Sequence, residues 1–374
     1  MKISKKLIVM MKFIYTTALF FTFNVVALIA QTNHHTEDYL SLSWDYVASK
    51  MPAEWYSSAQ ALAVADNLLV AQKDVGGWPK NQPFHHEFTD EQKSDFYSGK
   101  SEIGATFDNG ATITELRFLA KVFSHHKYHE YRKAIENGIE YILEAQYENG
   151  GWPQFFPSRR ADEVTYSDHI TYNDNAMVNI MYFLRDIIED AKDLKELRLN
   201  PFVKRRVQQA YDLGIECILN TQIVDRGQPT VWCAQHDAVT LAPAKARSYE
   251  LESFSGAESI RIIKFLMSID QPSDRIVAAI DGAIQWLEDV KIEGVKVEKI
   301  RNKDGELDRF VFSDPNAKPL LARFYDLKTR KPFFCDRDGV KKHRLADIGY
   351  ERRNGYSWYT SYPSELVSEW KNRP

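Results

Sequence analysis

Three times along the chain the sequence follows one order. An apolar helical run ends in Gln, a turn built around Trp follows, and a polar loop leads into another apolar run. The first pass runs from Leu68 to Gln72, through Gly76-Gly77-Trp78-Pro79, to Phe107-Asp108-Asn109. The second runs from Ile142 to Gln146, through Gly150-Gly151-Trp152-Pro153, to Tyr172-Asn173-Asp174-Asn175. The third is degenerate: Ile218 to Gln222, then Trp232-Cys233-Ala234-Gln235, then Tyr249 to Gly256. Gln72 and Gln146 are 74 positions apart, and Gln146 and Gln222 are 76 apart. A repeat of that length is a helical hairpin plus a loop. One hairpin cannot bury its own apolar face, so hairpins stack on their neighbours. The order therefore predicts a mainly α fold in which three hairpins close into a ring. Carboxylates in the first two loops and an arginine in the third, presented at one mouth, point to an enzyme.

The N-terminus has a different character. Lys2, Lys5, Lys6 and Lys12 precede an apolar run from Phe13 to Ala30, and Gln31 opens a polar stretch. That order reads as a signal peptide ending at Ala30, and the protein is expected to be secreted, either periplasmic or extracellular. No Cys follows the run, which argues against a lipoprotein, and after cleavage no membrane association is expected. Loss of the four lysines leaves 44 basic against 52 acidic residues, a net charge of −8. Such a chain is a poor nucleic-acid binder. An acidic substrate stays open if local arginines or a metal receive it.

No linker or low-complexity segment divides residues 31–374, which read as one domain and a monomer. The three cysteines, Cys217, Cys233 and Cys335, are too few for a disulfide framework and fit no zinc spacing. A helix is predicted from about Ser57 to Gln72. Gly138, Gly214 and Gly282 each lie five positions before a leucine, and this recurring offset predicts close helix approach at each. After about Lys291 the pattern alternates. Residues 295–300 and 310–312 are expected to pair as strands across the turn Asn302-Lys303-Asp304-Gly305.

Asp108 and Asp174 lie 66 positions apart in equivalent places of their repeats, each before an apolar helix. Each alone reads as an N-cap. Together at one mouth, their oxygens suit a hard cation such as calcium, or the acid and base of glycoside hydrolysis. Trp78 and Trp152 read first as packing residues, and Gln72 and Gln146 as ties to loop backbone. In the third loop, His236 beside Asp237 reads as a structural histidine. Arg247 stands where the first two loops carry carboxylates, with Glu250 and Glu252 as ordinary partners. Arg323 and Arg337 sit among aromatic and turn-forming neighbours, as arginines that capture carboxylates do.

Taken together, Gly76-Gly77-Trp78-Pro79-Lys80, Phe107 to Thr112, Gly150 to Gln154, Tyr172 to Met177, Trp232 to Asp237, Pro243 to Ser253, Arg323-Phe324-Tyr325, Cys335-Asp336-Arg337 and Arg353 to Tyr359 resemble polysaccharide lyase family 10. The resemblance spans about residues 55–365. It implies an incomplete (α/α)3 toroid with a few short C-terminal strands. It also implies calcium-dependent cleavage of de-esterified polygalacturonate (pectate) by β-elimination, leaving 4,5-unsaturated oligogalacturonides. By position it implies Arg247 as the base that takes the C5 proton. Asp108 and Asp174 would hold calcium, and Arg323 and Arg337 would bind substrate. Lys80 and Asn109 sit beside matched motifs and are carried as substrate-binding residues. Glu252 departs from the pattern, which often has Pro there. Desolvation, bound calcium and neighbouring Arg323 and Arg337 would all disfavour the cation of Arg247. A helical-toroid glycoside hydrolase using Asp108 and Asp174, and a non-catalytic uronate-binding protein, are the competing readings.

Overall fold

A computed structural model describes residues 39–159 and 162–373. The basic and apolar leader expected at 1–30 lies outside the described residues. The chain is mainly helical, with short paired strands. Its first helix, α1 (Trp44–Ser49), precedes α2 (Ala59–Ala71), and the side-chain oxygen of Ser58 caps α2 by accepting from the Ala61 N–H at 3.2 Å. Then come α3 (Asp90–Ser98), α4 (Ile113–His126), α5 (His129–Glu144), α6 (Ala176–Ile188) and α7 (Pro201–Thr221). The last long helices are α8 (Glu258–Met267) and α9 (Asp274–Val290). No helix among the described residues is long and apolar enough to cross a membrane.

The helices pack in two rows. Helices α2, α5, α7 and α9 touch in that order along one row, and α4, α6 and α8 touch in order along the other. Within hairpins, α4 packs on α5, α6 on α7, and α8 on α9. The repeated residues explain the stacking. At each helix end a glutamine amide donates to two carbonyls. Gln72 reaches Gly76 at 2.7 Å and Ala134 at 2.8 Å; Gln146 reaches Gly150 at 3.0 Å and Ala210 at 2.8 Å. Gln222 reaches Thr230 at 2.7 Å and Ala279 at 2.8 Å. One bond in each pair closes the local loop, and the other crosses to the next helix of the row, satisfying backbone groups water cannot reach.

The tryptophans do the same from the turns. Trp78, Trp152 and Trp232 are fully buried, and their indole N–H groups donate to Leu68, Ile142 and Ile218 at 2.9, 2.8 and 2.7 Å. The packing role is the observed one. Two of the recurring mid-helix glycines, Gly138 and Gly214, sit at helix approaches as their spacing predicts, whereas Gly282 packs against the short hairpin at Pro229. A Cβ on Gly138 would lie 2.5 Å from Leu116, and one on Gly214 or Gly282 would collide with Met181 or with the Pro229 backbone.

Beyond α9, strands β1 (Val295–Arg301) and β2 (Leu307–Ser313) pair antiparallel, with Val297 opposite Val311. A second, aromatic cluster of Tyr249, Phe324, Phe334 and Trp358 ties the third loop to the C-terminal segment. The three cysteines are buried and unpaired.

One buried acid is independent of the mouth. Glu115 on α4 is almost wholly buried; its Oε1 accepts from the Trp44 indole at 2.7 Å, and its Oε2 has no partner. Burial, only partly offset by that bond, pushes its carboxyl up to about 7 from an ordinary 4.5. The neutral form is the one the fold favours. Its contribution is therefore full below about pH 4.5 and is lost as pH rises through about 7. Glu115→Gln is expected to remove that loss. Relative to Glu115→Gln, the wild type should weaken by about 3 kcal/mol between pH 4.5 and pH 8 in urea melts. A constant difference between the two proteins across that range would contradict the assignment.

Candidate active site

The polar loops between the tryptophan turns and the row of α4, α6 and α8 meet at one end of the molecule. Each loop is pinned by the same bond. The N–H groups of Thr106, Thr171 and Ser255 donate to the carbonyls of Trp78, Trp152 and Trp232, at 3.1, 3.1 and 2.8 Å. Counting from these anchors aligns the loops. Two residues on stand Asp108, Asn173 and Ala257; three residues on stand Asn109, Asp174 and Glu258. Backbone angles agree: Asn109 has φ 53° and Asp174 φ 50°, both left-handed and within one short turn of 3-10 helix.

Two expectations change. Asp108 and Asp174 are not equivalent; they are offset by one position, and Asn109 is the true counterpart of Asp174. Neither aspartate caps a helix. Helix α4 starts five residues after Asp108, and neither α4 nor α6 receives a side-chain cap bond. Asp174 itself is left-handed, and its carboxyl interacts with that of Asp108 instead of a helix N–H.

The carboxyl of Asp174 lies beside that of Asp108 and is held above the ordinary range. The protein packed around it is the main cause, and the charge of Asp108 comes next. Arg323 opposes the rise, and Glu258 adds to it. Asp108 is buried: Lys80 pairs with its Oδ2, and its Oδ1 has no partner. Asn109 donates to Asn81 Oδ1 at 3.0 Å.

Glu258, which the motif reading missed, is the third carboxylate of the mouth. It is 5% exposed, receives the Ser255 hydroxyl, and pairs with Arg323. Arg323 also donates to Asn173 Oδ1 at 3.0 Å, lies 4.5 Å from the Tyr356 ring, and keeps a buried Nε without a partner. Burial works against its charge, but Glu258 and the other anions around it outweigh that and hold it firmly cationic.

Arg247 stands partly exposed on the third loop. Its Nε and Nη2 donate to the two oxygens of Glu250 at 2.7 and 2.6 Å, a bidentate clamp. Tyr356 completes it, donating its hydroxyl to Glu250 Oε1 at 2.7 Å. Burial lowers the basicity of Arg247, but the Glu250 pair more than reverses that, so its cation is favoured beyond the ordinary arginine. Of the two glutamates read as ordinary partners, Glu250 is the one engaged. Tyr166 belongs to the same mouth, since Arg247, Glu250 and Asp108 all act on its phenol, and burial keeps that phenol protonated.

Arg337 lies outside this cluster. It is exposed and spends Nε and Nη2 on Glu351, at 2.9 and 2.8 Å. His236 is fully buried, with Nδ1 2.9 Å from the Leu241 carbonyl and Nε2 accepting from the Cys233 N–H at 3.1 Å. Burial lowers it to about 4, so it is a neutral scaffold residue. Asp237 turns away to Thr240, whose N–H it accepts at 2.7 Å.

Among the described residues no three His, Cys, Asp or Glu side chains stand close enough together to hold a metal ion. Two observations fit a hard cation nonetheless. Asp108 has a buried, unpartnered oxygen, and Asp174 repels it from alongside. A divalent cation would relieve both.

Residues 72–367 match the family model described as pectic acid lyase. A mutant of the family 10 polysaccharide lyase from Cellvibrio cellulosa, in complex with trigalacturonic acid, is 32% identical, with a TM-score of 0.74 over 88% of this chain and 95% of that one. The same organism's family 10 polysaccharide lyase without that mutation gives 32% identity and a TM-score of 0.73, over 88% of this chain and 94% of its own. Comparison with curated proteins gave no match.

Proposed function

Since the chain belongs to the pectic acid lyases, polysaccharide lyase family 10, and is a pectate lyase, we propose that it cleaves de-esterified polygalacturonate by calcium-dependent β-elimination with Arg247 as the base. The substrate class is carried over from the trigalacturonic acid held by the solved relative. The observation that carries the reading is the Arg247–Glu250 clamp, set in the same mouth as Asp108, Asp174 and Arg323.

The C5 proton of a galacturonate is weakly acidic, because its loss puts further negative charge on a unit already anionic. A calcium ion at the uronate carboxylate would counter that charge. The C5–H electron pair becomes the C4–C5 double bond as the glycosidic C4–O bond breaks, and the departing oxygen takes a proton from water. Asp108 and Asp174 would hold the ion, with substrate and water completing its oxygen shell. Two guanidinium nitrogens of Arg247 are committed to Glu250, so Nη1 is the one left to face the sugar. The clamp fixes its direction but favours its cation, so the neutral base is scarce and should become less so as pH rises. Lys80 and Arg323 bring positive charge to either side of the aspartates. Arg337 would serve as an outer contact after releasing Glu351.

This reading includes the two helix rows as an incomplete (α/α)3 toroid, residues 31–374 as one monomeric catalytic domain, and export after removal of residues 1–30. Its test is polygalacturonate at alkaline pH, followed by ultraviolet absorbance with calcium and with chelator. A calcium-dependent rise, with unsaturated oligogalacturonides as product, is expected. New reducing ends without absorbance would instead mean hydrolysis by the aspartates, and binding with neither signal would mean a non-catalytic uronate receptor.

A further inference from the structure

A bowl of about 470 Å³ is lined in part by Asp174 and not by Arg247. That volume lies in the range of small-molecule sites. Its walls are the first turns of α4, α6 and α8 and one face of α1. Polar groups fill it: Asn109 and Asp174 at the rim, Asn175 and Asn179 on the wall of α6, Arg117 from α4 and Arg261 from α8. Arg117 is already paired, donating Nη1 to Asp186 at 2.6 Å. Arg261 is exposed and has neither an ion pair nor a hydrogen bond with any described residue. The amides of Asn175 and Asn179 are likewise uncommitted.

We propose that this bowl is a further uronate subsite, in which Arg261 receives the carboxylate of a galacturonate unit beyond the bond that is cut. The proposal rests on the uronate substrate argued above and names where the polymer goes next. A chain that crosses the Asp108–Asp174 pair continues either toward Arg247 or into the bowl. In the bowl, a free guanidinium fork matches a carboxylate. Two free amides, each with donors and an acceptor, match sugar hydroxyls. Asp45 lines the same space and repels a carboxylate on its side, which leaves the α8 side as the favourable one. The subsite gives the enzyme a preference for longer substrates.

The test compares the wild type, Arg261→Ala and, as a control for bulk charge, Lys264→Ala, an exposed lysine one turn along α8. Turnover is read on tri- and hexagalacturonate. Binding of hexagalacturonate is read by calorimetry in an Arg247→Ala background, where no cleavage disturbs it. Arg261→Ala should lose about tenfold in kcat/KM on the hexamer and in hexamer affinity, with a smaller loss on the trimer and none in Lys264→Ala. Equal losses on both lengths, no loss in either measurement, or an equal loss in Lys264→Ala would overturn the subsite. If the wild type makes no unsaturated product from any oligomer, the lyase mechanism falls instead, and the calorimetric comparison still judges the bowl.

Discussion

Arg247→Ala is expected to lower the rate of unsaturated-product formation by about three orders of magnitude, the scale of a positioned general base. Truncation also leaves Glu250 buried beside Tyr356 without its cation, so some stability will go with the rate. Arg247→Lys separates the two effects. It returns a charge to Glu250 but not the two-pronged fork, and one ammonium cannot both pair with Glu250 and present a second nitrogen to the sugar. The lysine variant should melt close to the wild type and remain at least a hundredfold slower. Guanidine added to Arg247→Ala should restore part of the rate. The pH profile gives an independent reading. Because Glu250 favours the Arg247 cation, the fraction able to accept a proton grows with pH, and kcat/KM of the wild type should climb through the alkaline range. If Arg247→Ala kept a rate within tenfold of the wild type, another group would be the base.

Much of the scaffold can be read from the chain because one local rule is applied three times. A glutamine that satisfies two carbonyls and an indole that donates back into its helix recur in the same order three times, at the same offset in the first two repeats and a longer one in the third. The mouth is less legible because its loops are not copies. From the anchored residue to the first helical residue the chain takes seven steps in the first repeat (Thr106 to Ile113), five in the second (Thr171 to Ala176) and three in the third (Ser255 to Glu258). Shared spelling around the aspartates hid a one-residue offset that the left-handed turns at Asn109 and Asp174 expose. The same shortening hid Glu258. Its loop has lost the Asp-Asn spelling, and the glutamate reads as an ordinary first-turn helix residue. Only the anchor bond of Ser255 aligns it with Asp174. Long-range partners are harder still: Arg323 meets Asn173 across 150 positions, and no periodicity carries that information.

Glu258 is also where the largest combined loss of stability and rate is expected. It is buried, and its partner Arg323 retains only 12% side-chain exposure. Glu258→Ala would leave that guanidinium with Asn173 as its remaining hydrogen-bond acceptor. Breaking a buried pair from one side costs about 3–5 kcal/mol, so the alanine variant should unfold at clearly lower urea. Glu258→Gln keeps a carbonyl for Arg323 and a polar contact for Ser255, and should lose about 1–2 kcal/mol. The rate follows a different logic. Glu258 raises the carboxyl of Asp174 while Arg323 lowers it, so Glu258→Gln removes a repulsion and should bring Asp174 down toward the ordinary range. Arg323, no longer neutralised, would then pair with Asp174 and draw it from its place beside Asp108. A fall of about tenfold to a hundredfold in kcat/KM is expected for Glu258→Gln. The fall should be accompanied by a downward shift of the Asp174 titration, followed by NMR of the side-chain carboxyl. A merely structural Glu258 would move the melt and leave that titration in place, and a Glu258→Ala protein as stable and as active as the wild type would remove the carboxylate from the site altogether.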